Sequence, residues 1–173
     1  MRTFIAIEIP EQYKEKIKEM QKEFSKLGNI TITKEYHCTL KFLGEITEQQ
    51  AEKVKEELRK IKMKKFEANL EGVGAFPNHT YIKVIWVGLK GRLDELQAKI
   101  DTQLKEMFPR DNRFKAHITL GRVKSIKDKQ AMKEKLNMKM EEMKFEVEEF
   151  KLIKSTLAPE GPMYETLDIY SLE

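Results

Sequence analysis

The tetrapeptide His-x-Thr-Leu occurs twice in this chain, as His37-Cys-Thr-Leu40 and as His117-Ile-Thr-Leu120. Each copy lies in a strand-like stretch, follows an amphipathic helical pattern and a polar loop, and precedes a further helix-like segment. A helix–strand–helix unit that recurs at one offset is the signature of internal duplication. That narrows the fold to α+β: two related, bilobal units of antiparallel strands about a pseudo-two-fold axis, with helices outside and a central cleft. A length of 173 residues suits a single domain, residues 1–173, of two intertwined lobes, each contributing one His-x-Thr-Leu strand.

The rest of the chain reads in the same terms. Phe4-Ile5-Ala6-Ile7 is a strand. After Pro10 the residues Tyr13, Ile17, Met20, Phe24 and Leu27 form one helical stripe, with Gly28 as its stop. A short link leads to the strand Tyr36–Leu43. Thr47 and Gln50 have the spacing of a capping box, ahead of a helix that turns Ala51, Val54, Leu58 and Ile61 inward. Extended stretches at 66–76 and 81–89 flank a hairpin turn at Pro77-Asn78-His79-Thr80. A helix carrying Leu93, Leu96, Ile100, Leu104 and Met107 precedes the second motif strand, Lys115–Lys124. A Lys-rich helix follows from Ser125 to about Met138. Two last strands are expected, at 144–157 and 163–172, around Pro159-Glu-Gly-Pro162.

Composition removes several classes of function. Hydrophobic residues make up 40% and charged residues 36%, too apolar for a disordered chain. The longest apolar run, Val84 to Leu89, is too short to span a membrane as a helix. Glu8 and Pro10 interrupt any signal-peptide continuity, so a cytoplasmic monomer is expected. With Cys38 as the one cysteine, an internal disulfide and a cysteine-based zinc site are excluded. The basic residues are mostly Lys and the acidic ones mostly Glu, a thermophile-like balance. The net charge of +4 permits an anionic substrate without demanding one.

Residues two apart on a strand share a face. His37 and Thr39 therefore point together, as do His117 and Thr119. Lys41 continues the first polar face, while Cys38, Leu40 and Phe42 alternate onto the apolar one. A single such strand is an ordinary solvated face; two matching strands related by an axis set two His-Thr pairs across a cleft. Imidazoles titrate near neutrality, so one can take a proton while the other gives one. Threonine hydroxyls can donate to the non-bridging oxygens of a phosphate. A strained 2′,3′-cyclic phosphate suits this set, because only a water and one ring oxygen need proton management. His79, after Pro-Asn, reads as a solvated turn residue. Cys38 reads as a buried thiol, Met132 and Leu136 as core. Tyr36, Phe42 and Phe114 are candidates to stack on a base, and Lys124, Lys127, Lys129, Lys133 and Lys135 form either a path for an RNA backbone or a solvated helix face.

With the N-terminal strand Arg2-Thr-Phe-Ile-Ala-Ile7, the Phe76-Pro77 turn and Val84-Ile-Trp-Val-Gly88, the segments His37-Cys-Thr-Leu-Lys-Phe-Leu-Gly44 and His117-Ile-Thr-Leu-Gly-Arg122 resemble the 2H phosphoesterase superfamily. Within it they most resemble the RNA 2′,3′-cyclic phosphodiesterases, also called 2′-5′ RNA ligases. The resemblance covers nearly the whole chain. It implies an enzyme without metal or cofactor that opens 2′,3′-cyclic ends of RNA, such as tRNA fragments, to 2′-phosphomonoesters, with 2′-5′ ligation as the reverse. It implies His37 as proton donor and His117 as acceptor, an order the sequence does not itself fix. It carries Thr39 and Thr119 over as phosphate contacts, and Arg122 as the basic residue after the second motif. Strict alternation turns Arg122 away from His117; a bulge at Gly121 would bring it back. Two rival expectations are a non-catalytic RNA-end-binding module and a phosphodiesterase for small cyclic nucleotides or 2′-5′ oligoadenylates.

Overall fold

Thr3 to Ile7 are buried without a break, the pattern of a strand covered on both faces. In the computed structural model, which describes residues 1–173, this strand, β1 (Arg2–Glu8), lies inside a sheet and leads through Pro10 into α1 (Glu11–Ser25). Pro10 is the N-cap of α1 rather than its first helical residue. The stretch read as a link is a short strand, β2 (Gly28–Ile32). Gly28 opens it because a Cβ there would sit 2.2 Å from the Ser125 carbonyl oxygen. The first motif strand, β3 (His37–Glu45), runs into α2 (Glu48–Leu58). The capping box forms as expected: Gln50 N donates to Thr47 Oγ1 at 3.1 Å and Thr47 N to Gln50 Oε1 at 2.8 Å.

β4 (Phe66–Pro77) and β5 (Ile82–Lys90) make the expected hairpin, its turn closed by Asn78 Oδ1, which accepts from Thr80 N and Tyr81 N at 2.9 Å each. Then come α3 (Leu93–Gln103), the second motif strand β6 (His117–Ile126) and α4 (Lys129–Asn137). The single strand expected at 144–157 is two. β7 (Met143–Val147) and β8 (Glu149–Ala158) part at Glu148, because the chain leaves one sheet there and enters the other. β9 (Gly161–Ser171) completes the chain's last hairpin.

The strands form two wholly antiparallel sheets, ordered β3-β1-β8-β9 and β2-β6-β5-β4-β7. The duplication is visible in their registers. In the first sheet Glu8 faces His37, Ala6 faces Thr39 and Phe4 faces Phe42. In the second, each number moves on by 80: Gly88 faces His117, Trp86 faces Thr119 and Val84 faces Arg122. The halves also trade elements. β8 extends the sheet of β1, β4 extends the sheet of β5, α1 packs on β2 and β6, and α3 packs on β3. One hydrophobic cluster joins Ile5, Ile7 and Cys38 of the first sheet to Ile85, Val87 and Ile118 of the second.

Both motif strands slip register at the same place. Between Thr39 and Lys41, Leu40 has no partner on β1; between Thr119 and Gly121, Leu120 has none on β5. These are β-bulges, and each reverses the alternation beyond it. Leu40 and Lys41 are both buried, as are Leu120 and Gly121. The expectation that Lys41 continues the polar face and that Phe42 faces the core is therefore corrected. Lys41 turns inward at 5% exposure, and Phe42 turns outward at 71%. Arg122 turns to the same side as His117, through a bulge at Leu120 rather than Gly121.

Bulged backbone must find other partners. The Leu120 carbonyl accepts from the buried Gln21 side chain at 3.0 Å and from Thr33 N at 3.1 Å. The inward Lys41 ammonium donates to Asp101 and, at 2.8 Å, to the Pro109 carbonyl. Asp101 also accepts from Gln97 at 3.0 Å and from Asp111 N at 2.9 Å. Burial pushes the Asp101 carboxyl up, but these hydrogen bonds outweigh it and hold the group below its usual range. Removing one partner of a buried pair strands the other charge, so Lys41→Met should destabilise the protein by about 3–5 kcal/mol in denaturant unfolding. Lys41→Met/Asp101→Leu should recover part of that loss; equal stability of Lys41→Met and the unsubstituted chain would show that the pair does not brace β3.

Candidate active site

All five residues singled out in the sequence line one cavity of about 160 Å³: His37 and Thr39 from β3, and His117, Thr119 and Arg122 from β6. Strand alternation supplies the first four and the Leu120 bulge supplies Arg122. The cavity also receives Glu35, Phe42, Phe114 and Lys115. Alternation already puts Glu35 and Lys115 on the histidine faces, two residues before each motif, though the sequence reading passed over both. Phe42 and Phe114, both named as candidates to stack on a base, line the cavity, and Phe42 reaches it through the Leu40 bulge. His79 stays in the exposed hairpin turn. Tyr36 turns instead to α1, where its hydroxyl lies 3.4 Å from Gln21 Oε1. Cys38 is buried under the first motif, its thiol pushed up to about 12 mainly by that burial.

The two imidazoles are held by aromatic rings. His37 stacks on Phe4, with centroids 4.9 Å apart and planes at 26°, and meets the edge of Tyr164 at 5.3 Å. Its Nε2 is 3.7 Å from Glu35 Oε2, and the Tyr164 hydroxyl donates to the other oxygen of Glu35. Tyr164 arrives from β9, far along the chain, and nothing local in the sequence announces it. His117 meets Phe76 edge-on at 5.0 Å and Trp86 at 6.3 Å. The Trp86 indole lies so close over β4 that a Cβ on Gly74 would come within 2.2 Å of it, which explains the glycine. Lys115 Nζ stands 4.2 Å from the Trp86 ring centroid.

His117 Nδ1 is 2.6 Å from the Lys115 carbonyl oxygen. A carbonyl only accepts, so Nδ1 carries the hydrogen and a neutral ring keeps its lone pair on Nε2. Burial pushes both imidazoles below their ordinary range. At His37 the charges of Glu35 and Glu8 work back upward. At His117 the bond to the Lys115 carbonyl works upward and the Lys115 charge works further downward. Arg122 is exposed and forms no ion pair, leaving its guanidinium available to an anion in the cavity. No group of three or more His, Cys, Asp or Glu side chains is placed to hold a metal ion, and no helix is long and apolar enough to cross a membrane.

Two sheets each present a histidine and a threonine to one cavity, with an arginine beside them. A family model described as "LigT like Phosphoesterase" matches the chain twice, over residues 7–86 and 87–164, so each match spans one His-x-Thr-Leu copy. An RNA 2′,3′-cyclic phosphodiesterase of Methanocaldococcus jannaschii is 40% identical over 174 residues, covering 96% of this chain and 98% of the relative. Another of that name, from Archaeoglobus fulgidus, is 36% identical over 177 residues, covering 98% and 99%. A crystal structure of a Thermus thermophilus protein matches with a TM-score of 0.82 at 26% identity, covering 99% of this chain and 97% of that one. E. coli LigT complexed with 3′-AMP has the same fold, with a TM-score of 0.78 at 24% identity and coverages of 99% and 97%. The chain belongs to the LigT-like phosphoesterases, within the 2H phosphoesterases. Its curated relatives come from thermophiles, in keeping with the Lys-Glu composition.

Both depressed imidazoles can be read directly. In an NMR pH titration of the ring C–H signals, the His37 and His117 midpoints should lie below the value of about 6.5 for a free side chain. The sign for stability follows. The unfolded chain takes up these protons more readily, so the stability linked to them is present above about pH 6.5 and is lost as pH falls toward the lower folded midpoints. Midpoints at or above the free value would contradict the burial seen at both rings.

Proposed function

We propose that this protein hydrolyses the 2′,3′-cyclic phosphate ends of RNA to 2′-phosphomonoesters, with His37 as proton donor and His117 as proton acceptor. The observation that carries the reading is the convergence of the two His-Thr pairs, one from each repeat, on a single small cavity. The names of the relatives at 36% and 40% identity support the substrate class. In the proposed step His117 Nε2 takes a proton from water as its oxygen bonds to phosphorus. On the opposite side the bond from phosphorus to the 3′ oxygen breaks, and that oxygen takes the His37 proton. The product carries a 2′-phosphate and a free 3′-hydroxyl, and both imidazoles reset by exchange with solvent. Thr39 and Thr119 donate to the non-bridging oxygens, and Arg122 offsets their negative charge. With a 5′-hydroxyl in place of the water, His117 would take that proton, the 3′ oxygen would leave with the His37 proton and a 2′-5′ linkage would form; water in molar excess makes hydrolysis the net reaction. Residues 1–173 then work as one domain of two intertwined lobes, because neither lobe holds both histidines.

The test is an oligoribonucleotide ending in a 2′,3′-cyclic phosphate, incubated with a chelator present. The expected product is the 2′-phosphate, with His37→Ala and His117→Ala each slower by about a hundredfold or more. A 3′-phosphate product, full activity in both variants, or tight binding of the cyclic end without turnover would overturn the proposal.

A further inference from the structure

We propose that Glu35 and Lys115, which hold the same place in the two repeats, decide the direction of proton flow: Glu35 favours the charged form of His37, the donor, and Lys115 favours the neutral form of His117, the acceptor. The inference rests on reading the site as an acid–base pair and goes beyond it, since nothing in that reading says why the roles fall this way round.

The ladders β1–β3 and β5–β6 match residue for residue at one offset, bulge included. Each histidine therefore has the same neighbours by position, and the identities of those neighbours can be compared. Two residues before the histidine stands Glu35 in one repeat and Lys115 in the other, and both side chains line the cavity. Directly across the ladder from His37 stands Glu8; across from His117 stands Gly88. So His37 has two carboxylates at places where His117 has a cation and no side chain.

The contacts give these charges a purpose. Glu35 Oε2 lies 3.7 Å from His37 Nε2, and Tyr164 holds the other carboxylate oxygen, which fixes the group beside the ring. Lys115 has a partner too: its ammonium sits 4.2 Å from the Trp86 ring centroid, and that ring's centroid lies 6.3 Å from that of His117. Its own carbonyl holds His117 Nδ1–H, so the ring is set in the tautomer of a base. The other charged groups near His37 are Lys151 on β8, which pairs with Glu8 at 3.2 Å, and Arg122 of β6, which with Arg2 of β1 acts on the Tyr164 hydroxyl. On the side of His117, β4 and β5 present the Phe76 and Trp86 rings, Asp111 and Arg113 of the preceding loop line the same cavity with opposite charges, and Arg122 of β6 lines it as well. The charges of Glu35 and Lys115 act in opposite directions on their histidines. Both act through a histidine, so they are positioning residues.

The experiment combines an NMR titration of the ring signals of the folded protein without substrate with the pH–rate profile on a 2′,3′-cyclic end. If His37 must be protonated and His117 neutral, the alkaline limb belongs to His37 and the acid limb to His117. Glu35→Gln is expected to move the His37 midpoint and the alkaline limb to lower pH, slowing turnover at neutral pH about three- to tenfold. Lys115→Gln is expected to move the His117 midpoint and the acid limb to higher pH, leaving its carbonyl in place. Glu35→Asp and Lys115→Arg, which keep the charges, should restore both limbs, an outcome that a merely structural role would not give. Midpoints that stay put, or that move the same way in both Gln variants, would overturn the inference. The NMR midpoints need no turnover. A wild-type protein that forms no 2′-phosphate would remove the proposed function while leaving this measurement intact.

Discussion

Neither half of this chain can complete its own sheet. β1 and β3 form a two-stranded ribbon until β8 joins from the second half, and β5 and β6 depend in the same way on β4 from the first. A two-stranded ribbon is marginal in water, so each motif strand exists as part of a sheet only because the other half is folded. The helices repeat the exchange: α1, which leads to the first motif, packs on β6, and α3, which leads to the second, packs on β3. The distance between the two histidines is thus fixed by the shared core and not by a hinge or a linker.

On that frame the bulges do the fine placement. A regular β6 would have sent Arg122 into the body, away from His117. The slip at Leu120 costs a ladder position, and its freed carbonyl is taken up by Gln21 and Thr33. The repeats then use the same kink differently. The residue turned inward is Lys41 in one copy, tied to Asp101, and Gly121 in the other, where a Cβ would come within 2.8 Å of Ile30. The residue turned outward is Phe42 in one and Arg122 in the other. Duplication set the geometry, and substitution at matched positions gave the two sides different chemistry.

Alternation and the matched tetrapeptides were enough to read the α+β class, most element positions and four of the five residues that meet in the cavity; Arg122 came from the family resemblance, against strict alternation. What escaped was long-range or depended on a register slip. Lys41 and Phe42 exchange faces because of Leu40, and no local signal in Thr-Leu-Lys-Phe marks a bulge. β2 is short and polar, so it read as a link; it is a strand because β6 offers it an edge. The split at Glu148 follows from a change of sheet, which a continuous alternating run conceals. Tyr164 reaches Glu35 through the β8–β9 hairpin, a pairing that only the folded chain reveals.

The aromatic setting acts on both histidines in the same way. Phe4 and Tyr164 around one ring, and Phe76 and Trp86 around the other, orient the imidazoles and remove water from them. Burial of that kind disfavours the charged form at both sites alike. Two histidines treated identically would share one midpoint, and only a part of the molecules would hold one named ring charged and the other neutral. An acid–base pair built on a duplicated fold would be in its working state in more of its molecules if the symmetry is broken close to the rings, where charge acts over a few ångströms. The loops that enter the two motif strands are the nearest place to do so, and there the chain carries a glutamate in one copy and a lysine in the other.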